Sequence, residues 1–176
     1  GALSKELKGD SLAEILDLRA SGAIAFTDGV VPIMNAELLS KALQYVQKFK
    51  GLVISRPRDL SLSRGGQMHE GSVSTSLGLV GISSLSEKVM IERDLSILAY
   101  TGGRLHIHGI STFESVALIA EAKKSGLAVT CDVILHQLCY SDDHLSSFDP
   151  FYKVDPPLRT DKDIQALKNG LANGTI

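Results

Sequence analysis

The feature that most constrains this chain is a repeated change of period, from a short apolar run to a longer segment whose apolar residues recur every three or four positions. Four such runs stand at Ala23 to Phe26, Leu52 to Ile54, Arg104 to His108 and Ala128 to Leu135, and they have the composition of buried strands. The segments between them carry helix signals. Asp10 or Ser11 is placed to cap a helix in which Leu12, Ile15, Leu16 and Leu18 share a face before Gly22. Asn35 caps the next, with Leu38, Leu39, Ala42, Leu43 and Val46 at helical spacing before Gly51. Ser84 and Glu87 match a capping box ahead of a helix that stops at Gly102 and Gly103. Ser111 opens another, ending at Gly126, and a last helix is predicted from about Thr160 to Leu171, with Asp161 and Asp163 near its positive end.

Strand and helix in alternation predict an α/β fold with a parallel sheet, and no boundary or repeat divides residues 1–176, so one domain is expected. Two stretches break the rhythm: Arg56 to Ser83, long and rich in Ser and Gly, and Ser141 to Pro157. Both follow strands and therefore belong at the carboxyl end of the sheet, where α/β proteins place their sites. Four βα units are half of an eight-stranded barrel. An open half leaves two unpaired edges and one uncovered face, so completion by another chain or by a longer sequence is expected.

Composition narrows the functional classes. Lys and Arg number 18 against 20 Asp and Glu, so the chain has no basic field for nucleic acid or an anionic membrane surface. No run approaches the roughly 20 apolar residues that span a bilayer, and the first nine residues lack a signal-peptide pattern. A cytoplasmic protein is expected, with Cys131 and Cys139 as free thiols.

Several segments carry a family resemblance: Gly1-Ala2-Leu3-Ser4-Lys5 to Gly9, Met68-His69-Glu70-Gly71 to Leu79, Arg93-Asp94-Leu95, Leu105-His106-Ile107 to Ser111-Thr112, and Asp155-Pro156-Pro157-Leu158-Arg159. Together they resemble the middle of class I dihydroorotases of the amidohydrolase superfamily, from one end of the chain to the other. The resemblance implies the central four or so βα units of a (β/α)8 TIM-type barrel. It also implies a reaction of pyrimidine biosynthesis, the metal-dependent interconversion of dihydroorotate and carbamoyl aspartate. That chemistry needs divalent metal, commonly zinc, to make a bound water nucleophilic.

The resemblance further implies a ligand set: a His-x-His pair that would precede Gly1, a bridging acid, two His on successive strands, and an Asp that would follow Ile176. Three of these positions fall inside the chain. Where the family has Phe-Ser/Thr-Asp-Asp-Gly, this chain reads Phe26-Thr27-Asp28-Gly29-Val30, so Gly29 replaces the bridging acid and Asp28 stands one residue away. Val-Ile-x-His-Ala-Glu-Asp becomes Val53-Ile54-Ser55-Arg56-Pro57-Arg58-Asp59, and Leu-His-Ile-x-His-x-Ser-Thr becomes Leu105 to Thr112 with Gly109 at the ligand position. Glycine offers no side-chain donor and a guanidinium stays protonated, so no family metal is expected on these residues.

Against this background the chain is expected to be a non-catalytic homologue kept for assembly, as a homo-oligomer or with aspartate carbamoyltransferase or an active dihydroorotase. Two other readings stay open. His106 and His108 alternate on one strand, face the same side, and with Asp132 or His136 could hold zinc for an active cyclic amidohydrolase; the plainer account is packed or solvated imidazoles. Arg56, Arg58 and Arg159 could bind an anion without turnover, with Arg56 and Arg58 filling the space and charge vacated by the metals as the plainer account. Weak substrate contacts are assigned to Arg56, His69, Asp155 and Arg159, with loop anchoring as the alternative for His69 and Glu70. Asp155 stands where the family usually has Asn, and its charge would repel an anionic substrate. Lys88 and Glu92 are expected to pair across one helical turn, and His144 with Asp142 and Asp143 has no evident chemistry.

Overall fold

The computed structural model describes residues 1–176. After a short N-terminal helix (α1, Ile15–Ala20) comes the first strand (β1, Ala25–Phe26), then α2 (Ala36–Val46) and β2 (Leu52–Ser55). The long excursion follows, holding β3 (Met68–His69), α3 (Ser72–Leu77) and β4 (Gly81–Ile82), before α4 (Leu85–Thr101), β5 (Leu105–Ile107), α5 (Phe113–Lys124) and β6 (Val129–Cys131). Three short 3-10 turns then lead to α6 (Asp161–Ala172). No helix is long and apolar enough to cross a membrane.

Four strands form one parallel sheet in the order β1, β2, β5, β6, and β3 and β4 pair parallel in a small sheet of their own. Parallel neighbours require crossovers, and here α2, α4 and α5 supply them on one face. The sheet therefore has two unlike sides. Phe26, Val53, Ser55, Leu105, Ile107, Val129 and Cys131 are buried beneath the helices, while the alternate residues Ala25, Ile54, His106 and Thr130 remain partly or fully exposed. This is the asymmetry of a barrel sector, with helices outside and an inner face open for lack of the opposite wall.

The core of 21 buried residues lies between sheet and helices, and α2 gives it Leu38, Leu39, Ala42, Leu43 and Val46, the stripe its spacing predicts. Burying each large aliphatic side chain stabilises the fold by about 1.5–3 kcal/mol before the entropy of ordering is counted. A smaller cluster of Met68, Leu145 and Leu158 joins the two excursions, so neither is a free loop.

Several expected boundaries differ. Asp10 and Ser11 do not cap α1, because this segment pairs with the N-terminus: Ser4 bridges Leu12, Lys5 N donates to Ser11 O (2.9 Å), and the helix starts only at Ile15. Ser84 precedes α4 without a side-chain cap, since Glu87 turns inward. Thr112, not Ser111, caps α5, accepting from Ser115 N at 3.2 Å. The run expected to extend to Leu135 ends as a strand at Cys131, although Asp132 still exchanges main-chain hydrogen bonds with Ile107 and Ile110. Asn35 caps α2 and Thr160 with Asp163 forms a capping box on α6.

Candidate functional site

The exposed alternation on the inner face runs on past the strand ends and builds the mouth of the sector. From Ile54 it reaches Arg56, from His106 it reaches His108, and from Thr130 it reaches Asp132. With Thr27 and Gly29 these side chains line a cavity of about 330 Å³.

Parallel pairing sets His106 beside Thr130, so the next inward positions, His108 and Asp132, are also neighbours. Asp132 Oδ2 lies 2.8 Å from His108 Nδ1 and 3.2 Å from His106 Nε2. Its other oxygen accepts the Gly109 N–H at 2.6 Å, and His106 Nδ1 is 2.8 Å from Thr130 Oγ1. Partial burial raises the carboxyl pKa, but hydrogen bonds from His108, the Gly109 N–H and His106 outweigh it and hold Asp132 below the usual carboxylate range. The expected pairing of His106 and His108 on one side of a strand is thus present, and Asp132 joins them. His136 does not. It sits on the 3-10 turn Leu135–Leu138 with its buried Nε2 unpaired, outside the His106–His108–Asp132 group, and burial lowers its pKa.

The positions that the resemblance gives to metal ligands do not fit a metal. Gly29, at φ 66°, lines the cavity without a donor atom. Asp28 is no substitute, since it is buried and accepts from Leu3 N (3.0 Å), Ser4 N (2.8 Å) and Ser4 Oγ (2.5 Å), which ties the N-terminal segment to the end of β1. Gly109, at φ 73°, is spent on orienting Asp132. Arg56 presents a cation, and its Nη2 donates to both Asp155 Oδ2 and Asp155 O at 2.8 Å. Arg58 Nη1 reaches the same carboxylate oxygen at 2.9 Å. The two arginines therefore converge on Asp155, although Arg56 also lines the cavity. The crevice behind them, shared with Gly109 and Arg159, has about 10 Å³, room for one water.

Arg159 and His69, assigned as weak substrate contacts, are instead enclosed. Arg159 is 2% exposed; Nε donates to Ser111 Oγ (3.0 Å), and Nη1 donates to Ile82 O and His69 Nδ1 (both 3.0 Å). Burial lowers the Arg159 pKa against the opposing pull of Glu87 and Asp163. His69 is pushed down to about 4 by burial and by the arginine it faces. One guanidinium thus ties His69 of β3 and Ile82 of β4 to Ser111 ahead of α5.

Two further clusters escape a linear reading. Glu87, buried on α4, accepts from Ser111 N (2.8 Å), Ser115 Oγ (2.6 Å) and Ser111 Oγ, and lies 3.8 Å from Arg159 Nη2. Arg93 grips Asp94 and the carbonyls of Ile33 and Met34, while Asp94 accepts from Ser55 Oγ at 2.6 Å; burial raises the Asp94 pKa. Beyond the capping-box match of Glu87 and the Arg93-Asp94-Leu95 segment, the sequence signal for both is a charged residue within an otherwise apolar helical stripe.

Residues 2–115 match the family described as Dihydro-orotase-like. The dihydroorotase of Syntrophobacter fumaroxidans is 48% identical over 176 residues, covering all of this chain and 40% of that protein, and that of Pelotomaculum thermopropionicum is 47% identical, with 41% of its length covered. The chain thus spans about two fifths of the length of these relatives. Among solved structures, the L-hydantoinase (dihydropyrimidinase) of Arthrobacter aurescens superposes with TM-score 0.79 at 21% identity, over all of this chain and 40% of that one. The dihydroorotase of Campylobacter jejuni gives 0.57 at 12% identity, over 80% and 35%. These structural likenesses show a TIM-type (β/α) barrel fold, of which four βα units are present here. Together with the match over residues 2–115, the full-length identities mean that the chain belongs to the dihydroorotase-like family.

Proposed function

We propose that this chain is the barrel segment of a dihydroorotase-like protein that does not itself activate water at the family's metal position and that serves assembly. The observation that carries this reading is the occupation of the mouth by Gly29, Arg56 and Gly109, with Arg56 locked to Asp155. Opening a cyclic amide needs a metal-bound hydroxide and a polarised carbonyl. The guanidinium at one family ligand position has no lone pair to give a dication, and neither glycine offers one.

The anion-binding reading has less support, because Arg56 and Arg58 already share the Asp155 carboxylate and Arg159 is buried. An assembly role agrees with the open inner face and the two free edges of the sheet, surfaces that another barrel half or subunit would cover. The partner we propose is an aspartate carbamoyltransferase, an active dihydroorotase or a second copy of the protein.

The test uses the complete protein that carries this segment, assayed with added zinc for ring opening of dihydroorotate and ring closure of carbamoyl aspartate, and examined by native mass spectrometry with each partner. The expected result is no turnover by the protein alone and a defined complex. Turnover without a partner overturns the proposal.

A further inference from the structure

We infer that His106, His108 and Asp132 form a divalent-cation site of their own, of the zinc class, at positions distinct from those the resemblance gives to metal ligands. The inference starts from spacing. Zinc holds nitrogen and oxygen donors at about 2.0–2.2 Å in a tetrahedron, which puts any two donors about 3.3 Å apart. Asp132 Oδ2 stands 2.8 and 3.2 Å from the two imidazole nitrogens, and all three donor atoms lie within 4.8 Å of one another. A cation needs only small side-chain adjustments to sit among them.

The backbone fixes this arrangement in advance. His106 lies in β5 and His108 follows it on the same side, and the register with β6 brings Asp132 opposite them. Two of the three ligands, His106 and Asp132, also have an outer partner of the kind that metal sites use. Thr130 Oγ1 engages His106 Nδ1 and leaves Nε2 for the ion; the Gly109 N–H engages Asp132 Oδ1 and leaves Oδ2 between the imidazoles. The cavity beyond gives a fourth position to water or a substrate oxygen. Arg56 shares that cavity but its Nη2 is turned to Asp155, and Asp132 supplies the site's own negative charge. Two imidazoles and one carboxylate suit Zn²⁺ or Co²⁺ and not the oxygen-preferring Mg²⁺ or Ca²⁺.

The complete protein, stripped with a chelator, is titrated with Co²⁺ and then Zn²⁺, reading visible cobalt absorption, metal content and the imidazole nitrogen resonances of His106 and His108. Expected are cobalt bands of a four-coordinate site that zinc abolishes, perturbation of both imidazoles, and loss of these signals in His108→Gln and Asp132→Asn. Thr130→Val, which removes only an outer partner, is expected to weaken binding about tenfold or more. Unperturbed imidazoles in the wild-type protein, or binding unchanged in folded His108→Gln, overturns the inference. The result is separable from the assembly proposal: cation without turnover upholds both, turnover that depends on His108 refutes only the assembly proposal, and absence of cation refutes only this one.

Discussion

A buried cation is tolerable only when its donors and its charge are answered, and Arg159 shows how densely that must be done. Glu87, Ser111, His69 and the Ile82 carbonyl surround it, and Glu87 in turn collects the hydroxyls and amides at the start of α5. In this setting His69 has to be neutral, because its Nδ1 accepts a hydrogen bond from Arg159 Nη1. A group kept deprotonated in the folded state but free to protonate when unfolded makes stability depend on pH in one direction. The unfolded imidazole titrates near 6.5 and the folded one near 4. Between these values the unfolded chain binds more protons, so stability falls as pH drops from 6.5 to 4 and levels off below. The lost stability is on the order of 3 kcal/mol. His69→Asn keeps an acceptor for Arg159 without a titrating ring. Urea unfolding of both proteins from pH 7 to 4 is expected to show a smaller pH-dependent loss in the variant. Equal losses would mean that His69 is protonated in the folded state.

At the scale of elements, the helix caps separate what is local from what is not. Asn35 caps α2 because its carboxamide oxygen is free to accept from Glu37 N (3.0 Å) and Leu38 N (3.2 Å), both within three residues of it. Asn35→Ala is therefore expected to cost about 1 kcal/mol in chemical denaturation, with the slope of the transition unchanged. Ser11 and Glu87 carry the same sequence signals yet do other work, since a distant segment offers stronger partners: the N-terminal segment, through Lys5 N, for the first, and the α5 start and Arg159 for the second. The same division governs the candidate site. The shared orientation of His106 and His108 follows from a period of two and can be read from the chain, as can the substitutions at Gly29, Arg56 and Gly109. That Asp132 joins the histidines and His136 does not depends on the β5–β6 register and on where β6 stops. The convergence of Arg56 and Arg58 on Asp155 spans nearly a hundred residues and leaves no periodic trace.

For the molecule as a whole, the decisive fact is that the sheet is half covered. Helices bury one face completely, but the inner face keeps Thr130 exposed and Ile54 and His106 partly so, and β1 and β6 each pair on one side only. Apolar residues gather beside those edges: Ile24 is 79% exposed before β1, Val30 74% after it, and Leu135 74% just beyond β6. Unpaired main-chain donors and acceptors next to exposed aliphatic side chains recruit another edge, either the remaining wall of a barrel or a second copy. Residues 1–176 produced alone are therefore expected to self-associate, with a weight-average mass well above 18.8 kDa in light scattering coupled to gel filtration. Lysines introduced by Ile24→Lys and Leu135→Lys place charge beside the two edges, far from the core of 21 buried residues. They are expected to shift that mass toward the monomer while leaving the circular dichroism unchanged. A stable, compact monomer of the unaltered segment would show instead that four βα units close their own surface, and the case for an assembly partner would lose its physical basis.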